Sequence, residues 1–148
     1  MESLAETRPL QLLLVEDNPG DVRLTKEALK AGSVDVTLSV ARDGVEAIDF
    51  LRKRGEFQSA PDPDLILLDL NLPRKNGREV LSEIKNDGSL RHIPVVVLTT
   101  SQADEDILRS YQLHANAYVT KPVDFDSFIS VVRQIDQFFV SVVKLPPR

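Results

Sequence analysis

Along the chain, short and nearly unbroken apolar runs alternate with stretches whose apolar residues recur every three or four positions. Residues 10–15, 65–70 and 93–98 are of the first kind, the pattern of parallel strands buried on both faces. Residues 34–40 differ. There Val34, Val36, Leu38 and Val40 alternate with Asp35, Thr37 and Ser39, which predicts a strand at a sheet edge or exposed on one face. A short fifth run, residues 117–120, completes the set.

The intervening stretches have a helical period. Asn18-Pro19-Gly20-Asp21 opens the first: Asn18 is a good cap, Pro19 suits the first helical position, and Asp21 favours the positive end of the helix dipole. Val22, Thr25 and Leu29 then share a face, and Gly32 ends the helix. Residues 43–53 turn Val45, Ala47, Ile48 and Leu51 inward, and residues 78–85 do the same with Val80, Leu81 and Ile84. Ser101-Gln102-Ala103-Asp104 reads as the start of a helix reaching about Leu113, and residues 124–144 as a long last helix. Gly55 and two prolines make residues 54–63 the longest loop. Five strands, each followed by a helix, imply an α/β fold. The expected form is a doubly wound, five-stranded parallel sheet in the flavodoxin-like order 2-1-3-4-5, with five helices.

Composition narrows the field. A chain of 148 residues, 42% hydrophobic and 28% charged, has the size and balance of one domain. Residues 1–9 read as a tail and 10–148 as that domain, with no output domain expected. The absence of cysteine excludes a disulfide framework, a thiolate metal site and a cysteine nucleophile, and 2 His do not suggest a multi-histidine site. Eighteen basic against 23 acidic residues give a net charge of −5, which lacks the basic footprint of a nucleic-acid binder. No apolar run reaches the roughly 18 residues of a membrane span. Nor does a basic start lead into an apolar stretch, so no secretion signal is expected and the protein reads as cytoplasmic.

In such sheets chemistry gathers beyond the carboxyl ends of the strands, where the strand order reverses. Strand one ends in Glu16-Asp17 and strand three in Asp69-Leu70-Asn71, so three carboxylates converge there. Two carboxylates about 4 Å apart repel by about 4 kcal/mol at an effective dielectric of about 20, so the cluster requires a cation or a proton. Carboxylates and a backbone carbonyl are hard oxygen ligands, which suit Mg²⁺. Thr99 and Lys121, at the ends of strands four and five, bring a hydroxyl and an ammonium to the same edge, donors suited to a phosphoryl group on one of the acids. Asp69 is the natural acceptor, lying midway at the end of the most apolar strand. A strand-end lysine is expected to contribute little to the core. Each element alone is ordinary: Glu-Asp after a strand is usually a solvated helix entry, and Lys-Pro a loop signal. Their joint placement is not.

Val15-Glu16-Asp17-Asn18, then Leu67-Leu68-Asp69-Leu70-Asn71-Leu72-Pro73 with Gly77, then Leu98-Thr99-Thr100 and Tyr118-Val119-Thr120-Lys121-Pro122, resemble the receiver domain of two-component response regulators. The run from Leu14 to Leu24 and the long loop before strand three look most like the stand-alone receivers of cyanobacterial phytochromes. The resemblance implies that Asp69 accepts a phosphoryl group from the histidine of a sensor kinase, a light sensor of the phytochrome type. It further implies that Glu16, Asp17, Asp69 and the Asn71 carbonyl hold Mg²⁺. Thr99 and Lys121 would bind the phosphoryl oxygens with backbone amides near Asn71 and Thr100, and Tyr118 would change rotamer as Thr99 moves. Some positions depart from the common pattern: Glu16 where Asp is frequent, Thr100 where a small residue is usual, and Arg74-Lys75 in a loop that is often apolar.

Other readings make different demands. A haloacid-dehalogenase-type enzyme needs a second acid two residues after its nucleophile, where this chain has Asn71. A flavodoxin-like cofactor binder needs a Gly- and hydroxyl-rich loop after strand one, where Glu16-Asp17 stands. A phosphate-independent interaction module has no use for the full ligand set. In the last helix, Phe128, Val132, Ile135 and Phe139 form one apolar stripe, and Val131, Phe138, Val142 and Leu145 form a second. Two stripes predict burial on two faces, hence a homodimer through this helix, beside an unidentified downstream protein partner.

Overall fold

Leu65, Ile66, Leu67 and Leu68 are wholly inaccessible to solvent and form the middle of the sheet, where each Leu→Ala change would cost about 2–5 kcal/mol. The computed structural model describes residues 9–32, 35–99, 106, 108–109, 113, 115–121, 123–127 and 130. In chain order these contain β1 (Leu10–Val15), α1 (Pro19–Lys30), β2 (Val36–Ala41) and α2 (Gly44–Leu51). A 3₁₀ turn (Gly55–Phe57), β3 (Leu65–Asp69), α3 (Gly77–Lys85), β4 (Val95–Thr99) and β5 (Ala117–Thr120) follow. All strand pairs are parallel and the order is β2-β1-β3-β4-β5, as the alternation of runs predicts.

Period-two alternation sends each strand's residues to opposite faces. Leu13, Val15, Ile66, Leu68, Val95 and Val97 pack on one face with α2 and α3. On the other, Leu12, Leu14, Leu67 and Leu98 meet Val22 and Leu29 of α1. Strand β2 takes the edge and is only half-buried along most of its length, matching its alternating sequence.

Boundaries shift where local chemistry overrides the apolar count. Strand β4 begins at Val95 rather than 93, because Pro94 has no N–H to give a ladder and serves only through its carbonyl, which accepts from the Ile66 N–H at 3.0 Å. Helix α3 begins at Gly77, one residue earlier than its apolar face suggests. Asn76 caps it, and Asn76 and Glu79 exchange the two hydrogen bonds of a capping box. In α2, Phe50 is buried and Val45 only half-buried, since the 3₁₀ turn folds Phe57 back to 5.5 Å from the Phe50 ring. Helical backbone also occurs at residues 106, 108–109, 125–127 and 130. Most of the two helices expected over residues 101–113 and 124–144, with the stripe Val131, Phe138, Val142 and Leu145, lies outside the described residues.

Candidate functional site

Register brings the acids together. Val15 pairs with Leu68 and Asp69 with Leu98, so Glu16 and Asp69 emerge side by side at the carboxyl ends of β1 and β3. The Glu16 N–H donates to the Ala41 carbonyl at 2.9 Å, continuing the β1–β2 ladder to this point. Thr99 pairs with Thr120, which puts Lys121 just past the same edge. Helix α3 starts hard against the segment that follows Asp69: a Cβ on Gly77 would collide with the Asp69 carbonyl oxygen, and the Gly77 N–H donates to the Leu70 carbonyl at 2.9 Å. The loop after β3 is also seated on α2, where a Cβ on Gly44 would strike the Lys75 carbonyl. Within that loop Arg74 adopts a left-handed φ of 64°, and its guanidinium lies 3.1 Å from Asp43 Oδ1.

Glu16, Asp17 and Asp69 offer carboxylate oxygens that all lie within 4.8 Å of one another. Glu16 is 1% exposed and Asp69 5%, whereas Asp17 is exposed. Lys121 Nζ sits among acids, 2.8 Å from Glu16 Oε1, 3.2 Å from Asp69 Oδ2 and 3.2 Å from Asp21 Oδ2. Burial pushes the Glu16 carboxyl up to about 7, with Asp69 adding to the rise and Lys121 opposing it. Burial acts to lower the Lys121 ammonium, but the carboxylates of Glu16 and Asp69 outweigh it and hold the group above its usual value. Lys121 therefore ties three elements together through its ion contacts.

One atom is left over. Glu16 Oε1 is buried and has no hydrogen bond, because its 2.8 Å contact with Lys121 is an ion contact outside hydrogen-bond alignment. One ammonium at 2.8–3.2 Å from three carboxylates leaves an excess of negative charge, which a divalent cation between the acids would offset. The donor set of three carboxylates with one orphaned oxygen fits a hard cation such as Mg²⁺.

The remaining expected residues distribute as follows. The Asn71 N–H donates to Asp69 Oδ1 at 3.2 Å, so its backbone borders the acids. Thr99 closes β4 beside Thr120, and Thr100 lies outside the described residues. Tyr118 pairs with Val97 in β5 and is half-buried against the cluster under α2 and α3. Asp21 is the residue that sequence reasoning missed as a member of this site. Its position in the first turn of α1 reads only as a helix-dipole partner, and the contact that matters reaches across 100 residues to Lys121.

Residues 12–133 match the response regulator receiver domain family. Response regulator Rcp1 from Synechocystis sp. is 49% identical over 138 residues, 93% of this chain and 94% of that protein. The crystal structure of the Mn²⁺-bound form of Rcp1 superposes with a TM-score of 0.72 at 48% identity, covering 94% of this chain and all (100%) of the other. The phosphorylated cyanobacterial phytochrome response regulator RcpA gives a TM-score of 0.73 at 48% identity, covering 95% of this chain and 100% of that one. A family match over this much of the chain, with relatives of nearly equal length and the same sheet beneath them, makes the protein a member of the response regulator receiver family, related to phytochrome response regulators.

Proposed function

We propose that the protein is a phosphoacceptor switch in which Asp69 takes a phosphoryl group from a phosphohistidine on a sensor kinase of the phytochrome type. The observation that carries this reading is a buried excess of acid around a single lysine at the end of β3. Phosphorylated and Mn²⁺-bound relatives support it.

Glu16, Asp17, Asp69 and the Asn71 carbonyl would hold Mg²⁺, with water filling the remaining positions. When bound, the cation offsets the charge of the acids and of the incoming phosphoryl oxygens. An Asp69 carboxylate oxygen attacks phosphorus, the P–N bond breaks, and the electron pair leaves on the imidazole of the donor. Lys121, already 3.2 Å from Asp69 Oδ2, counters the charge gathering on the phosphoryl oxygens. The Thr99 hydroxyl and backbone amides near Asn71 and Thr100 bind the other oxygens, and Tyr118 follows Thr99 to report the new state. Water attack on phosphorus then breaks the bond to Asp69 and releases inorganic phosphate. Asn71 stands two residues after the acceptor, where a phosphatase-type enzyme would need an acid, which favours a signalling role over turnover of an external phosphoester.

The output is protein–protein contact with a downstream partner in the cytoplasm, with residues 10–148 acting as one receiver unit. The second apolar stripe of the last helix, Val131, Phe138, Val142 and Leu145, supports a two-fold homodimer. Light scattering should give a dimer for the wild type and a monomer for Phe138→Asp, and a monomeric wild type at tens of micromolar would remove this part. Incubation with acetyl phosphate tests the core of the reading. Intact-protein mass spectrometry should show one added phosphoryl group, absent from Asp69→Asn and prevented by chelator. Equal labelling of Asp69→Asn would overturn the assignment.

A further inference from the structure

Lys121 has three N–H donors, and three carboxylates surround it. Its contact with Asp21 Oδ2 at 3.2 Å is aligned as a hydrogen bond, whereas Glu16 Oε1 at 2.8 Å receives none. Asp21 itself is held in place. Its N–H donates to Asn18 Oδ1 at 3.0 Å, and the Asn18 N–H donates to Glu16 Oε2 at 3.3 Å. The four residues Glu16, Asn18, Asp21 and Lys121 thus close a ring that begins and ends on the buried acid.

Phosphorylation turns the Asp69 carboxylate into an acyl phosphate and moves its charge to the phosphoryl oxygens, so Lys121 turns toward them and one of its two remaining carboxylate partners, Glu16 or Asp21, has to give way. The acids differ in how easily water replaces the lysine. The Glu16 side chain is 1% exposed and that of Asp69 7%, but that of Asp21 is 34% exposed. Released Asp21 rehydrates where it stands, while released Glu16 would remain a buried charge. We propose that Asp21 is a positioning residue that holds Lys121 in the unphosphorylated protein and is the partner exchanged for the phosphoryl group, so that it sets how far the site is biased against the phosphorylated state. The proposal rests on Asp69 as phosphoacceptor. Asp21 opposes activation, although it belongs to the same acidic edge as the metal ligands.

Beryllium fluoride with saturating Mg²⁺, followed by nuclear magnetic resonance of the Tyr118 and Thr120 amides, gives a phosphate-mimic affinity for the full chain. Asp21→Ala should bind the mimic about two- to fivefold more tightly than the wild type, the range of one exposed charge pair. Asp21→Glu should return toward the wild-type value, because the longer acid still reaches Lys121. The Lys121 ammonium nitrogen resonance should shift in mimic-free Asp21→Ala, a change that a purely structural role for Asp21 would not produce. Glu27→Gln removes a charge from the same helix, but its carboxylate pairs with Arg23 at 3.4 Å, so it should leave the affinity unchanged. Unchanged or weaker mimic binding in Asp21→Ala overturns the proposal, and so does an equal gain in Glu27→Gln. A wild type that binds no mimic, with Asp69→Asn indistinguishable from it, instead overturns the phosphoacceptor reading on which the proposal stands.

Discussion

Two of the charge groups on this molecule are built on opposite plans. On the helical face of α2 and α3, Arg52 bridges Glu83 at 3.1 Å and Asp87 at 3.0 Å, Lys75 also pairs with Glu83, and Arg74 pairs with Asp43. Three cations meet three anions there, all with some solvent access. At the carboxyl ends of β1 and β3, Lys121 alone faces Glu16, Asp69 and Asp21, with Asp17 beside them. The first group needs nothing further. The second, among the described residues, is short of positive charge. An ion cluster that balances itself reads as scaffold, and one that does not marks a candidate ligand site.

Removing a cation from each group should expose the difference. In chelator, Lys121→Ala strands Glu16 and Asp69 as buried charges and should cost about 3–5 kcal/mol in urea unfolding, with much of it recovered in excess Mg²⁺. Arg52→Ala breaks two half-exposed contacts and should cost at most about 1 kcal/mol, with no recovery by Mg²⁺. Equal losses in the two variants would erase the distinction.

Adding a cation should separate the groups from the other direction. Mg²⁺ at a hundred times its dissociation constant should stabilise the wild type by about 2.7 kcal/mol in thermal melts, and Asp69→Asn much less. An equal gain in both proteins would move the metal away from β3.

Acid should act most gently, and on the balanced group. Burial raises the Asp43 carboxyl, but hydrogen bonds from the Glu46 N–H and from Arg74 outweigh it and hold the group below its ordinary value of 3.8. The stability it contributes is therefore present above 3.8 and is lost as pH falls through the folded-state value. Asparagine caps a helix about as well as aspartate, so Asp43→Asn should cost only a few tenths of a kcal/mol, about the lower end for cap changes, at neutral pH. Its loss of stability below pH about 4 should be shallower than that of the wild type, and a steeper loss would show that Asp43 is not the group responsible.

The sheet was legible because burial on both faces writes itself into consecutive residues: Leu65 to Leu68 admit no other placement than the centre. The acids at the strand ends were legible for the related reason that parallel strands align their carboxyl ends. Asn76 was harder to see as a cap, because its Glu79 partner looks like any exposed helical acid until both hydrogen bonds are drawn. Asp21 was invisible as a partner of Lys121, since no local pattern links residues so far apart. Contacts dictated by one element's own period can be read from its residues, whereas contacts made by side chains arriving from two elements need the fold first.

The ring through Glu16, Asn18, Asp21 and Lys121 joins the first strand to the last. During synthesis, Glu16 and Asp69 emerge well before the lysine that neutralises them, since chains grow from the amino end. Closing so long a loop early is entropically unfavourable, and the β4–β5 pairing must form before Lys121 is delivered. The acidic cluster is consequently completed late, and a nascent chain cut before residue 121 carries two acids that have no reason to leave water.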